Sequence, residues 1–522
     1  MTPKQYDTVI YNGHIETFDD NLNTAQMVAI TNGRFSYVGD HSEELIKNAI
    51  NSINIKGKTV LPGFIDLHTH LWTEADIIDI DLTEISTYKE TLDKVEIAVK
   101  SKKPGEWVFF SGWDESFWLD KKEFPTLKDL DRISQDNPLY MKREDGHLVV
   151  VNSLALKQLP VSLEHKGVMK DDEGHPTGVL KDVWLNLTPY FQDLISESIK
   201  ASCKIAASVG ITAVVDNLTI VPEGQQNILK EYFELDMNDE IPIRVFLNPT
   251  RDLMEDHVKK GVHRNQGKNK IRYSGYKGFF DGALGSHTAM LSFEYADMGG
   301  KGDKFLDEAE LASQVKFAEE NECTLCIHAI GDQAIEKLLD CFEEGLTNAG
   351  NAFTKQKHRI EHAEMITDSQ IVRANKLRII LSMQPNFLKW QYPGELYEQR
   401  LGRDRIYSLN RFNKILQLRA NLSFGSDNMP LSPLYGIHQS VNFPSKDTQI
   451  SVEEAIKAYT ISNAVALSVE HELGNIMKGK YADLIILEES PFTINSSEIK
   501  GLKIEQTYVE GLCVYDGTSN PM

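Results

Sequence analysis

The chain has few cysteines, fewer basic than acidic residues, and no long apolar run. Five Cys in 522 residues is an odd and sparse count, which excludes a disulfide framework. Cys323 and Cys326 have the spacing of a redox or zinc pair, but no second pair accompanies them. They fall in an apolar stretch that reads as a buried strand, where free Cys packs as a small hydrophobe. The first residues, MTPKQYDTVIYNG, lack the basic segment and apolar run of a secretory signal, and no stretch reaches bilayer-spanning length. The expectation is a soluble, cytoplasmic protein with no membrane partner. Lys and Arg total 55 against 77 Asp and Glu, a net charge of −22, and the acidic excess is spread along the chain. A nucleic-acid groove needs clustered basic side chains, so nucleic acid is excluded as a partner.

What is present is an ordinary globular composition, 41% hydrophobic and 25% charged, sufficient for a large core. Short β-rich pieces with Asn-Gly and Glu-Gly turns occupy both ends, as in TVIYNGHIETF and EQTYVEGLCVYDG. From Phe64 onward, short apolar segments ending in polar residues alternate with stretches of helical periodicity, the pattern of βα units. Eight strand ends fall at 63–70, 212–217, 243–248, 276–282, 324–332, 358–364, 379–385 and 421–427, the number a closed barrel needs. About 140 residues separate the first two, far more than one crossover uses, so they hold a capping insertion with its own strands at WVFFSGW and PLYMKRE. The predicted fold is α/β: a (β/α)8 TIM barrel over about 60–472, with an insertion at about 72–200, and a small β-sandwich made from 1–59 and 473–522.

The sharpest local feature is Asp66-Leu67-His68-Thr69-His70 after an apolar strand. Alternation along a strand points His68 and His70 the same way, with a metal-sized gap between them; two surface histidines at a strand end is the plainer alternative. Ligand-type residues recur at later strand ends: His328, His362 and Asp427. In a parallel barrel those ends converge at one face, where imidazoles and a carboxylate suit Zn²⁺ or a similar divalent ion.

The strings VLPGFIDLHTHL, IHAIGD, RIEHAE and FGSDNMP resemble the amidohydrolase superfamily of metal-dependent hydrolases. REDGHLVVVNSLAL, GYKGFFDGALGSHTAMLSFEY, LSMQPNF and LGNIMKGKYADLIILE narrow the likeness to amidohydrolase family 3, the YtcJ-like group that includes N-substituted formamide deformylase. The resemblance covers nearly the whole chain. It implies a metal-dependent hydrolase of a C–N, amide-like bond in a small-molecule substrate, with one or two divalent ions per chain, Zn²⁺ foremost. His68 and His70 would hold the more buried ion, and His328 and His362 a second. Lys277, at the end of the fourth strand, would be carboxylated by CO₂ to bridge two ions, which requires a neutral amine. A plain ion pair with Asp281, four positions on, is the alternative. Asp427 would be both ligand and proton shuttle, taking a proton as a metal-activated water attacks and passing it to the departing amine, with His362 assisting at the oxyanion.

The family also carries an Arg-x-Asp-Gly-His motif, matched here by Arg143, Asp145 and His147, that looks like part of a substrate pocket. Trp113, next to Asp114 and Glu115, belongs to a similar motif as pocket wall or core. His287 stands where the family often has Arg, and Gln384 ends the seventh strand facing substrate. Asp332, after Gly331 and before a helical run, reads as an N-cap. Two other functions stay open: a related deaminase or esterase, which would manage one metal without the lysine, and a non-catalytic scaffold, which would typically have lost ligands. Barrel hydrolases of this kind often form homodimers, but a single sequence shows no interface.

Overall fold

The computed structural model describes residues 5–71, 80–83, 85–183, 195–218, 222–268 and 270–518. Both ends of the expected insertion, at 72–79 and 184–194, lie outside the described residues. The architecture is mixed α/β.

The two chain ends share one eight-stranded sheet. Its order runs Leu512–Asp516, Ile504–Val509, Leu484–Leu487, Thr59–Pro62, Tyr6–Asp19, Leu22–Thr31 and Arg34–Gly39, with Ala49–Asn54 also paired to Tyr6–Asp19. The seam between the ends is antiparallel, from Leu484 opposite Pro62 to Leu487 opposite Thr59. All eight residues of these two strands are buried, so the join is made by apolar packing as well as by the ladder.

Past Gly63 the chain enters β1 (Phe64–Thr69). A Cβ on Gly63 would sit 2.3 Å from the Thr212 side chain, so the crossing from the terminal sheet tolerates no side chain there. β1 pairs in parallel with β2 (Ile211–Asn217), and β2 with β3 (Arg244–Asn248). The short strands Ile271–Tyr273 and Gly267–Lys268 extend this sheet. A second parallel sheet runs β4 (Tyr276–Phe279), β5 (Leu325–Ala329), β6 (Arg359–His362), β7 (Ile380–Met383) and β8 (Asn421–Phe424). The sheets meet at two seams. Thr250 forms a parallel bridge with Lys277. At the other, Asp427 N donates to His68 O at 2.8 Å and Ser426 N to Asp66 Oδ1 at 2.9 Å. A Cβ on Gly425 would meet His68 N at 2.5 Å, so glycine permits this approach. Nearly every residue of these strands is buried, as sheets covered on both faces require.

Helices follow or precede the strands. Glu308–Glu320 is capped by Asp307, whose side chain accepts from Glu310 N at 2.9 Å, and Asp368–Leu377 by a Thr367 capping box. Asp332–Asn348 corrects one expectation. Its N-cap is Gly331, without a side-chain cap, and the Asp332 carboxylate instead accepts from Ser292 N at 2.9 Å. As the first residue already inside the helix, Asp332 is past the position from which a side chain caps.

Between β1 and β2 lies a six-stranded sheet, ordered Val168–Lys170, Pro176–Lys181, Leu148–Val151, Leu139–Arg143, Val108–Trp113 and Ile80–Asp81. It has its own apolar core around Trp113, Trp118, Val95 and Leu130. All five cysteines are free, and Cys323 and Cys326 are buried. Among the described residues no helix is long and apolar enough to cross a membrane.

Candidate metal centre

The ends of β1, β6 and the segment after β8 converge. His68, His362 and Asp427 are all buried, and each offers a ligand atom within 4.8 Å of the others. Backbone geometry places them: His362, Ala363, Asp427 and Asn428 all adopt positive φ, 72°, 48°, 52° and 59°. Such conformations cost free energy in non-glycine residues and persist where the surroundings over-determine them.

Each imidazole is oriented by a second contact. His68 Nδ1 meets Glu361 Oε2 at 2.7 Å, and Arg359 Nε donates to Glu361 Oε1 at 2.8 Å. This leaves His68 Nε2 facing inward, 3.7 Å from Asp427 Oδ1. His70 Nδ1 meets the Asn217 carbonyl at 2.8 Å, and its Nε2 lies 3.1 Å from Asp427 Oδ1. The His362 ring stacks on Phe387, centroids 5.7 Å apart at 8°, and its buried Nδ1 has no hydrogen-bond partner among the described residues. The His328 ring lies 4.4 Å from that of His362, with Nε2 3.1 Å from the Gly282 carbonyl. His68, rather than His328, thus shares the compact ligand group with His362.

Lys277 is 1% exposed. Its Nζ lies 3.2 Å from His68 Nε2 and 4.9 Å from the Phe279 ring centroid. The alternative pairing with Asp281 is not made. The Asp281 carboxylate accepts from Met290 N at 2.8 Å and from Ile330 N and Gly331 N, both at 2.9 Å. The strand ends at Phe279, so the alternation that would have aimed Asp281 beside Lys277 stops before it.

Burial sets the charges. It pushes Lys277 down to about 8. Burial and neighbouring imidazoles drive His362 and His328 well below the usual histidine range, and burial and Lys277 lower His68. These rings are neutral, the form that binds metal. Burial works against the Asp427 carboxylate, but His68 and His70 outweigh it and hold its pKa below the ordinary value. Glu361 is likewise held low, by Arg359 and His68 against burial. Three donors in reach of one point, a buried orphan nitrogen and two anionic carboxylates fit a divalent ion.

The other predicted residues form the surroundings. Arg143, fully buried, is consumed by three carboxylates: Nη2 to Asp114 Oδ1 at 2.7 Å, Nε to Glu115 Oε2 at 2.8 Å and Nη1 to Asp145 Oδ2 at 2.7 Å. His147 Nδ1 meets Asp182 Oδ1 at 2.6 Å, and its ring lies 5.1 Å from that of His328. Burial opposes its protonation, but Asp182 raises its pKa on balance. Trp113 is fully buried in the insertion's core, its Nε1 donating to Met141 O at 3.2 Å. His287 pairs with Asp297 at 3.1 Å, beside Arg400, which bonds Asp297 at 2.6 Å. Gln384 is buried, its Nε2 3.5 Å from Ser382 O. Of these six, Arg143, Asp145 and His147 line the space beside the ligands, whereas Trp113, His287 and Gln384 do not.

Sequence reasoning missed Glu361, Asp66 and Phe387. Glu361 had a visible sign: with Arg359 it places a charged pair two positions apart within an apolar strand. Asp66 accepts from both His68 N and Ser426 N, and burial pushes its pKa up to about 7; only the contact between β1 and the segment after β8 reveals that role.

The chain belongs to the amidohydrolase family, whose sequence model matches residues 52–515. Three relatives align along nearly its whole length. Protein LONG AFTER FAR-RED 3 of Arabidopsis thaliana is 31% identical over 98% of this chain and 91% of its own. Putative amidohydrolase YtcJ of Bacillus subtilis is 28% identical over 97% and 99%, and N-substituted formamide deformylase of Arthrobacter pascens 26% over 98% and 99%. Among solved structures, an uncharacterized metal-dependent hydrolase from Pyrococcus horikoshii superposes with a TM-score of 0.74 at 26% identity, covering 94% of this chain and 99% of that one.

Proposed function

We propose that the protein is a metal-dependent hydrolase of an amide-like C–N bond in a small molecule. The observation that carries this reading is the convergence of His68, His362 and Asp427 with Lys277 3.2 Å from His68. We read the two parallel sheets as arcs of one (β/α)8 barrel, supported by the hydrogen-bonded seams at Thr250–Lys277 and His68–Asp427, with the terminal sheet and the insertion as separate additions.

His68, His70, His362 and Asp427 would hold the ion, Zn²⁺ by their chemistry, with His328 at the edge of the group. When bound, a divalent ion polarises the carbonyl and makes water a usable nucleophile near neutral pH. Asp427, anionic and braced by His70, takes the attacking water's proton and returns it to the leaving nitrogen. Glu361 fixes the His68 ring so that its Nε2 faces the centre. Lys277, buried and lowered to about 8, can lose one proton to become a neutral amine and then add CO₂ at Nζ, releasing a second proton to leave an anionic carbamate. An N-substituted formamide or N-acyl amine is the substrate class, supported by the likeness to the formamide deformylase.

The test is a chelated and zinc-reloaded enzyme assayed on formamides, N-acyl amines and lactones. Metal-restored amide hydrolysis that Asp427→Asn abolishes, with an unchanged circular dichroism spectrum, is the expected result; full activity in that variant overturns the mechanism. A single-metal deaminase or esterase is the second reading, favoured by the compact three-ligand group. One metal equivalent per chain with unmodified Lys277 by intact mass would select it.

A further inference from the structure

Two compartments of unequal size meet at the ligands. One is an open cleft of about 770 Å³, bordered by Lys142, Glu144, Lys389 and Tyr435 as well as by His68, His70 and Lys277. The other is a recess of only about 20 Å³, walled by Leu284, Ile330, Phe387, Trp390, Tyr397 and Glu364. On this measure one water needs roughly 10–15 Å³, so the recess admits one or two heavy atoms. Asp145, His147, His328, His362 and Asp427 border both, so the reacting bond lies at the junction.

The direction of the substrate follows from where its leaving group must go. Asp427 is braced by His70, which borders the cleft and not the recess. Protonated nitrogen therefore leaves through the cleft, the route wide enough for a released amine. What remains on the carbonyl carbon must occupy the recess. That recess has rigid walls: Phe387 stacks on His362 and lies 5.2 Å from Trp390, and Trp390 Nε1 is tied to Asp114 Oδ2 at 2.8 Å. It also has one polar end. Glu364 is 1% exposed, Asn410 Nδ2 reaches its Oε2 at 3.3 Å and the Tyr397 hydroxyl also bonds the carboxyl group, while among the described residues Oε1 receives no hydrogen bond of good geometry.

We propose that the recess is an acyl subsite limiting the substrate to amides of short acyl groups, with Glu364 selecting those that carry a hydroxyl, while a large polar amine portion occupies the cleft. This rests on the amide reading above and adds which side of the bond is size-limited. An acyl chain of two carbons fits; the oxygen of a hydroxyacetyl group can donate to Glu364 Oε1, a contact its equally large propionyl counterpart lacks. Sites built around a substrate hydroxyl discriminate more strongly than pockets that only count methylenes.

The test uses one amine acylated in turn with formyl, acetyl, hydroxyacetyl, propionyl, butyryl and benzoyl groups, with kcat/KM measured on the zinc-loaded full chain. Hydroxyacetyl should exceed propionyl by about tenfold, and benzoyl should fall about 100-fold below acetyl. Glu364→Met should erase the hydroxyacetyl preference and Glu364→Gln retain most of it, while Leu284→Ala should raise butyryl relative to acetyl by about tenfold. Benzoyl hydrolysed as well as acetyl, or a hydroxyacetyl-to-propionyl ratio unmoved in Glu364→Met, overturns the proposal. If no amide turns over, the amide reading fails, but the subsite is still decided by calorimetry of free acids on the zinc-loaded protein. Glycolate binding above propionate, with no benzoate binding, supports it; equal binding of all three overturns it.

Discussion

At the residue scale, the centre depends as much on what holds the ligands as on the ligands. Glu361 touches His68 at 2.7 Å and is fully buried, so Glu361→Gln keeps the volume but removes the charge that fixes the ring. Supporting contacts of this kind are worth about 10–100-fold in metal affinity. Zinc competition titrations should show that loss with little change in melting temperature; unchanged affinity would mean that the packing around His68 suffices to orient it. The convergence of His68, His70, His362 and Asp427 was legible in the sequence because each closes a strand or follows its end. Glu361, Asp66 and Phe387 were not, since a side chain that supports another is chosen by a contact across the fold and leaves no spacing in the chain. The Lys277–Asp281 alternative failed for a related reason: alternation predicts direction only while the strand lasts.

Elements were legible where periodicity was strong. The segment read as 212–217 is the strand Ile211–Asn217, and that read as 243–248 is Arg244–Asn248. Segments read to 332 and 364 end earlier, at Ala329 and His362, because Asp332 already opens a helix and Ala363 leaves the strand at positive φ. Ile271–Tyr273 went unseen, three residues being too few to carry a period. Two junctions between elements give predictions. The insertion is locked by Arg143, whose guanidinium bonds Asp114, Glu115 and Asp145. Arg143→Met leaves Asp114 buried and Asp145 half-buried without their guanidinium, while Glu115 keeps Arg400 at 3.1 Å; the change should cost about 3–5 kcal/mol, read as a lowered urea midpoint. Glu319 joins the helix Glu308–Glu320 to the approach to β6, accepting from Asn351 Nδ2 at 2.9 Å and Lys355 N at 3.2 Å, with His358 Nε2 3.3 Å away. Burial works to raise its pKa, but His358 and Thr354 outweigh it and lower it below 4.5. A depressed carboxylate stabilises above its unfolded value and loses that contribution as pH falls through its folded one. The melting-temperature gap between wild type and Glu319→Gln should therefore be wide at pH 7 and narrow steadily below about pH 4.5; a gap independent of pH would show that the carboxylate charge is irrelevant there.

At the scale of the whole molecule, the question is how a sheet made from both chain ends is coupled to the strands that carry the site. The answer centres on Arg244 in β3, fully buried, which donates to Glu510 Oε1 at 2.7 Å, pairs with Asp483 and lies 4.5 Å from the Tyr481 ring centroid. Asp483 and Glu510 flank strands of the terminal sheet, and Asp483 in turn accepts from Glu510 N at 2.9 Å. One guanidinium thus ties a strand of the half that carries the candidate site to two connections of the terminal sheet. Because Thr59–Pro62 runs on into β1 through Gly63, any loosening of that sheet reaches His68 along a single continuous stretch of backbone. Arg244→Ala removes the shared cation and leaves Asp483 buried without its partner, a change worth about 3–5 kcal/mol. If the terminal sheet and the strands are one cooperative unit, the variant should lower the urea midpoint by that amount while tryptophan fluorescence and far-ultraviolet circular dichroism still report coincident transitions. If the ends are an independent unit, the two probes should separate, and zinc affinity should fall in the first of the two steps.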